Sequence, residues 1–274
     1  MSARRAPPVR YDTYRSDKST RGEASGRQSH QQRSSGQVAI VTGAASGIGR
    51  ATTRLFAEYG MRVVAEDVNP EVEQQYADVE SVVPLVGDVG DEQTAVDAVA
   101  LANRAFGRLD VVVNNAGTIV NKPVVDTTLD DWNRILTTNV TGAFLHTREA
   151  MKAMLPRAKG SIVNIGSYAC FQAFPTISAY AASKGALAQL TRTAALEGID
   201  HGVRVNAIGV GDTVTNILGD PNDLAEHGKG SPIGRAADPR EIANVVAFLA
   251  SDLASYAVGA VWMLDGGMSV AVPN

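Results

Sequence analysis

From Gln37 onward, short runs of consecutive apolar residues alternate with longer stretches in which apolar residues recur every three or four positions. The short runs predict buried strands: QVAIVTG (37–43), RVVAED (62–67), SVVPLVGDV (81–89), LDVVVNNAG (109–117), GSIVNIGS (160–167), VRVNAIG (203–209) and AVWMLDGG (260–267). The periodic stretches predict helices. Ile48, Ala51, Leu55, Phe56 and Tyr59 mark the first, with Gly60 as its C-terminal cap. Others run from about Glu92 to Phe106, from Asp130 to Leu155 and from Ser178 to Asp200. A last one opens on DPRE (238–241), with Asp as N-cap, Pro at the first helical position and Glu at the third; Ile242, Val245, Val246 and Leu249 form its stripe. Strand–helix alternation at this spacing predicts a single α/β, doubly wound domain: a seven-stranded, mostly parallel sheet with helices on both faces. Ligands of such sheets bind beyond the carboxyl ends of the strands, so the chemistry should lie just after the apolar runs.

Composition narrows the class. The 274 residues are 45% hydrophobic and 20% charged, which suits one globular domain with a substantial core. Residues 1–36 hold eight Lys/Arg and three Asp/Glu, whereas the remainder is net negative. With few apolar residues, that stretch predicts a disordered basic extension, leaving 37–274 as the folded domain. Asp12, Asp17 and Glu23 speak against a mitochondrial transit peptide. A single cysteine, Cys170, excludes an intramolecular disulfide, and His30, His146, His201 and His227 show no metal-ligand spacing, so no metal is expected. No apolar run reaches the roughly 20 residues of a membrane helix, and a net charge of −4 gives no reason to expect nucleic acid. A cytoplasmic location is expected.

Two stretches carry candidate chemistry. TGAASGIG (42–49) joins the first strand to the first helix, and Gly43, Gly47 and Gly49 would allow close backbone approach to a pyrophosphate at the helix N-terminus. Asp67 ends the second strand, 18 residues beyond Gly49, where an acid accepts both ribose hydroxyls of an adenosine and repels a 2′-phosphate. Together they point to NAD. Asp88 is a candidate partner for adenine. NNAG (114–117) reads as cofactor contacts or as an Asx-type turn. In SAYAASKGALAQL (178–190), Tyr180 and Lys184 stand one helical turn apart. That is either an ordinary helix surface or an acid/base pair in which the ammonium lowers the phenol's pKa.

With the glycine turn, NNAG and Tyr-x-x-x-Lys in this order, residues from about Gln37 to Met268 resemble the short-chain dehydrogenase/reductase family. The resemblance implies a hydride transfer between NAD and a secondary alcohol or ketone. It makes Tyr180 the general acid/base and Lys184 the group that binds the nicotinamide ribose and lowers the tyrosine pKa. Ser167, 13 residues before Tyr180, becomes the substrate-binding serine, Asn139 the holder of a water behind the lysine, and Thr215 the contact to the nicotinamide amide. The implied cofactor contacts are Gly43, Ser46, Gly47, Ile48, Gly49, Asp67, Asp88, Val89, Asn115, Ala116, Gly117, Tyr180, Lys184, Val214 and Thr215. The family further implies a Rossmann-type fold and a homotetramer paired through the long helices and the last strand. Two positions depart from the pattern: Val210-Gly211 stands for the usual Pro-Gly and loosens the backbone there, and Gly166 precedes Ser167, with Tyr168 after it.

The expected substrate is a largely apolar secondary alcohol or ketone, because Thr118–Val120, Ala169–Phe174, Thr176–Ile177 and Val214–Leu218 carry few charges. The alternatives are a 3-oxoacyl thioester reductase, against which Ala45 and Asp67 speak, and a non-catalytic dinucleotide sensor, against which the intact Ser167/Tyr180/Lys184 set speaks. Cys170 is expected to be an inert or pocket-lining thiol, His146 to be a packed or interface residue, His227 to be a solvated loop residue, and Trp262 to be buried or in a subunit contact.

Overall fold

In the computed structural model, the described residues are 35–217, 220, 222–223, 226 and 228–271. The expected extension therefore lies almost wholly outside them, as do Leu218 and His227. Seven strands form: β1 (Val38–Thr42), β2 (Arg62–Asp67), β3 (Val82–Val86), β4 (Val111–Asn114), β5 (Gly160–Ile165), β6 (Val203–Val210) and β7 (Val261–Leu264). They lie in one sheet in the order β3-β2-β1-β4-β5-β6-β7. Every pairing is parallel, so the sheet is wholly rather than mostly parallel. The chain reverses direction of travel across the sheet between β1 and β4, which opens a crevice at their carboxyl ends.

Among the described residues, seven α-helices cover the two faces: α1 (Gly47–Glu58), α2 (Glu71–Gln75), α3 (Glu92–Phe106), α4 (Leu129–Leu136), α5 (Gly142–Met154), α6 (Ser178–Ile199) and α7 (Pro239–Ala250). Alternation along the strands divides the core. Ala39, Val41, Val63 and Val113 face α1 and α7, meeting Phe56, Ile242, Val246 and Leu249. Val38, Ile40, Val64 and Val112 face α3, α5 and α6, meeting Ala98, Ala102, Met154 and Ala194. The capping box expected on DPRE forms, Asp238 accepting from Arg240 N and the Glu241 side chain returning to the Asp238 backbone.

Two element boundaries differ from the sequence expectation in ways that matter. The third and fourth strands stop at Val86 and Asn114, so Asp88 and Asn115–Gly117 lie in loops beyond the sheet. The helix expected from Asp130 to Leu155 is interrupted: a π-helical turn, Thr137–Thr141, separates α4 from α5. TTNVT is rich in β-branched residues, which favour helices poorly, and a π turn inserts one residue into the ladder. The inserted turn aims Asn139 toward α6, where its amide is wholly engaged.

Candidate active site

The crevice deepens into a cavity of about 840 Å³ running from the glycine turn to the start of α6. Its walls include Gly43, Ser46, Gly47, Ile48, Asp67, Asp88, Val89, Asn115, Ala116, Gly117, Ser167, Tyr180, Lys184 and Thr215. Of the predicted catalytic and cofactor-binding residues, Gly49, Asn139 and Val214 are not on the wall; of the segments expected to frame the substrate, Val120 and residues 170–173 are not.

The dinucleotide end is held by short-range crossings between strands. Gly43 has φ +67°, and a Cβ there would stand 2.7 Å from Asn115 Nδ2. Gly49 lies directly behind, where a Cβ would meet the Gly43 carbonyl at 2.0 Å. Only glycine permits a turn this tight, and a chain of ordinary residues would fill the cradle. Asn115 donates to the carbonyls of Thr42 (2.9 Å) and Gly43 (3.2 Å), while Thr42 Oγ1 accepts from the N–H groups of Asn115 and Ala116, each at 3.0 Å. NNAG thus clips onto the glycine turn. Thr42 was not singled out by the sequence, since nothing local marks a threonine at a strand end as a clip. Asp67 completes this end: its Oδ2 accepts from Ala45 N at 2.8 Å and its Oδ1 from Asn69 N at 2.9 Å. The carboxylate is locked at the mouth of the turn and keeps lone pairs for a diol. An exposed N-terminus of α1, two obligatory glycines and an acid facing them are a donor set that suits a dinucleotide's pyrophosphate and ribose.

The reacting end is assembled by β5 and α6. Ser167 is buried and accepts from Ala169 N at 3.1 Å, so its O–H remains available to donate toward the cavity. Lys184 is also buried, and its Nζ donates to the Ile165 carbonyl at 2.8 Å. Burial pulls the ammonium down to about 8. Nζ stands 5.5 Å from the centroid of the Tyr180 ring. The expectation that this cation lowers the phenol is not met by the protein groups alone. Burial pushes the Tyr180 phenol up, with the Ser167 side chain pulling the other way. The ammonium bonds the β5 backbone and stands over the ring.

Asn139 lies behind this pair, its Oδ1 accepting from Thr118 N (2.8 Å) and its Nδ2 donating to Thr118 O (2.9 Å) and Ser183 Oγ (3.0 Å). Both side-chain N–H donors are used, so in this arrangement it ties the loop after NNAG to α6. Val214 is not on the wall, and its N–H pairs with the Ala237 carbonyl at 3.0 Å; Thr215 is on the wall, its methyl 2.9 Å from where a Cβ of Gly47 would stand. Val210 in place of proline does not loosen the backbone: β6 runs through it, pairing Val210 with Leu264. Gly166 backs onto β6, its N–H bonded to Ile208 O at 2.8 Å.

Several cavity residues were missed. Arg134, Thr138, Asn121 and Asp212 all reach the wall; Tyr168, noted in the sequence for its place after Ser167, sets its hydroxyl there 3.5 Å from Asp212 Oδ1. Burial, then Asp212, pushes the Tyr168 phenol up to about 12. Their signal is tertiary: α4 and the 118–122 loop meet the 175–177 segment through Lys122 N–H to the Thr176 carbonyl at 2.7 Å. Thr176 itself adopts φ +68°, a strained value for a threonine, on the cavity wall. Among the other expectations, Cys170 has its thiol raised by burial, which leaves it a poor nucleophile. His146 is buried, and Trp262 is 40% exposed with its ring edge-on to Phe248.

A family model described as Enoyl-(Acyl carrier protein) reductase matches residues 43–269. The chain belongs to the short-chain dehydrogenase/reductase family. It is 36% identical over 86% of its length to the 3-oxoacyl-[acyl-carrier-protein] reductase FabG of Thermotoga maritima, covering 98% of that protein. It is 40% identical over 84% of its length to the cis-4-hydroxycyclohexanecarboxylate dehydrogenase of Sinomonas cyclohexanicum, covering 96% of it. Among solved structures it is similar to levodione reductase, with a TM-score of 0.80 and 34% identity, over 87% of this chain and 99% of that one. Membership makes this short-chain dehydrogenase/reductase an oxidoreductase of CH–OH groups that uses a nicotinamide dinucleotide. The sheet and its helices have the Rossmann-like layout of these neighbours.

Proposed function

We propose that the protein is an NAD-preferring dehydrogenase of alicyclic secondary alcohols, acting equally as a reductase of the matching ketones. One arrangement carries this reading: Ser167, Tyr180 and Lys184 share a cavity whose other end is closed by Asp67 against the glycine turn. The kinship to a dehydrogenase of a hydroxycyclohexane acid and to levodione reductase supports the substrate class.

Gly43, Asp67, Lys184 and Thr215 would hold a nicotinamide dinucleotide, which would supply the hydride acceptor. The chain's own work is on the proton and the oxygen. Ser167 donates to the substrate oxygen and steadies the charge that develops there. Tyr180 takes the hydroxyl proton. Its phenol, raised by burial, becomes a competent base as positive charge gathers beside it, and Lys184 is the protein's share of that charge. Lys184 spends one N–H on Ile165 O, which leaves two for a ribose hydroxyl and the phenol side. Asn139 holds Thr118 and Ser183 together so that the loop and α6 keep their spacing.

The FabG relative favours a second reading, reduction of a 3-oxoacyl thioester. A panel of cyclohexanols with NAD, set beside an acetoacetyl thioester with NADH and NADPH, decides between them. Oxidation of the ring alcohols at higher kcat/KM than reduction of the thioester supports the dehydrogenase; the reverse order supports the reductase. We carry forward a cytoplasmic homotetramer as part of the same reading.

A further inference from the structure

The substrate end of the cavity contains a cation that the chemistry above does not use. Arg134 projects from α4 into the wall beside Thr118, Asn121 and Thr138. A short chain of contacts fixes which end of the cavity it serves. Arg134 Nη1 reaches Thr118 Oγ1, the Thr118 backbone is held by Asn139, and Asn139 bonds Ser183, the neighbour of Lys184 in α6. These contacts tie the guanidinium's loop to the segment of α6 that carries Lys184, which sets it toward the reacting end of the cavity.

Its contacts within the chain are loose. The Thr118 oxygen is 3.5 Å away, at the limit of a hydrogen bond, and the nearest carboxylate oxygen, on Asp131, is 3.6 Å away. Asp131 is already committed, since Lys122 bonds it at 2.6 Å and the Lys122 ammonium, followed by the Thr128 hydroxyl, holds its carboxyl down to about 2. A guanidinium carries five N–H donors in a planar fork, and two marginal contacts leave that fork open to the cavity. Asp212, another charged residue among the described ones on the wall, has its Oδ1 3.5 Å from the Tyr168 hydroxyl.

We infer that Arg134 is a specificity residue that binds a carboxylate carried by the substrate. The substrate is then a ring alcohol or ketone with an apolar body and one anionic arm. This rests on the dehydrogenase reading above, and it adds one charged arm to the largely apolar substrate expected from the loop segments. The fork suits a carboxylate bidentately, and because half of the side chain is open to solvent the gain is on the order of tenfold rather than a hundredfold.

The test uses the full-length enzyme and two matched pairs of probes. Cyclohexanecarboxylate and cyclohexanecarboxamide are titrated calorimetrically into the enzyme with NADH, and a hydroxycyclohexanecarboxylate and its carboxamide are compared as substrates with NAD. Wild type should favour the carboxylate by about tenfold in both Kd and kcat/KM. Arg134→Met should erase that ratio chiefly through KM, and Arg134→Lys should restore part of it. Equal binding of acid and amide by the wild type, or an unchanged ratio in Arg134→Met, overturns the inference. If neither ring alcohol is oxidised while the acid still binds in an Arg134-dependent way, the anion site stands and the dehydrogenase reading falls.

Discussion

His146 Nε2 lies 2.9 Å from Glu66 Oε2, and both side chains are fully enclosed between β2 and α5. His146 Nδ1 faces the Gly142 carbonyl at 2.9 Å, so it must carry a hydrogen, and a single proton is then shared across the Glu66 contact. Glu66 Oε1 is buried without a partner, which is less costly for a protonated acid than for a carboxylate. Burial raises the Glu66 carboxyl, with Asp67 and Asp88 adding in the same direction against His146. The His146 imidazole is also raised, the pull of Glu66 and Gly142 exceeding its burial.

A pH dependence follows. The folded pair keeps its proton above the ordinary imidazole value of 6.5, where the unfolded chain loses it. Its stabilising contribution is complete below that value and is lost as pH rises through the raised folded pKa. Glu66→Gln removes the shared proton while keeping the shape. Thermal unfolding at about pH 6 and about pH 9 should show a larger fall in Tm for wild type than for Glu66→Gln, about 2–4 °C for each kcal/mol involved. Parallel falls would mean that the pair does not titrate in this window.

Asp67 governs cofactor choice through the same strand end. Its carboxylate, pinned by Ala45 N–H, accepts from a ribose diol and repels a 2′-phosphate. A charge-assisted contact of about 1.5–3 kcal/mol corresponds to roughly 10- to 150-fold, so wild type should prefer NAD over NADP by about a hundredfold in kcat/KM. Asp67→Ala should narrow the gap mainly by weakening NAD. Comparable efficiencies with both cofactors in the wild type would contradict this role.

The glycine turn offers a steric test with an internal control. A methyl at Gly49 would sit 2.0 Å from the Gly43 carbonyl, whereas one at Gly185, on α6, meets nothing within 4 Å. Gly49→Ala should lose about 1–3 kcal/mol of stability and weaken NADH binding at least about tenfold. Gly185→Ala should be neutral or gain about 0.5–1 kcal/mol. Denaturant melts and fluorescence titration of NADH measure both.

How much of this could be read from the chain depends on the range of the interactions. The glycine turn, Asp67 and the Tyr180/Lys184 spacing are local patterns at strand ends or along one helix, and the structure gathers them in one cavity. The fold was legible for the same reason, since period 2 and period 3.6 are local. The π turn at Thr137–Thr141 was only half legible: the β-branched run TTNVT that weakens the helix is local, but the reach of Asn139 to Thr118 and Ser183 is not. Arg134 was missed because it is an ordinary charged position on an amphipathic helix until the 118–122 loop folds over it. His146 was foreseen as packed, but its partner Glu66 lies 80 residues away and no local pattern pairs them.

Assembly is testable through the outer face of α5 and α6, where Phe144, Leu196 and Ile199 are exposed. The proposed tetramer would cover them. Light scattering should give four copies for wild type and a smaller species for Leu196→Glu. A wild-type monomer at micromolar concentration would contradict the assembly.

The most direct measurement on the central claim is steady-state turnover of Tyr180→Phe beside its NADH affinity. The substitution keeps the ring that Lys184 faces and removes only the hydroxyl that takes the proton. General-base loss costs about 10²- to 10⁴-fold, so kcat for a ring alcohol should fall by at least about a hundredfold while the Kd for NADH stays within about twofold. A variant that keeps more than about a tenth of wild-type kcat would show that Tyr180 is not the proton-transferring group.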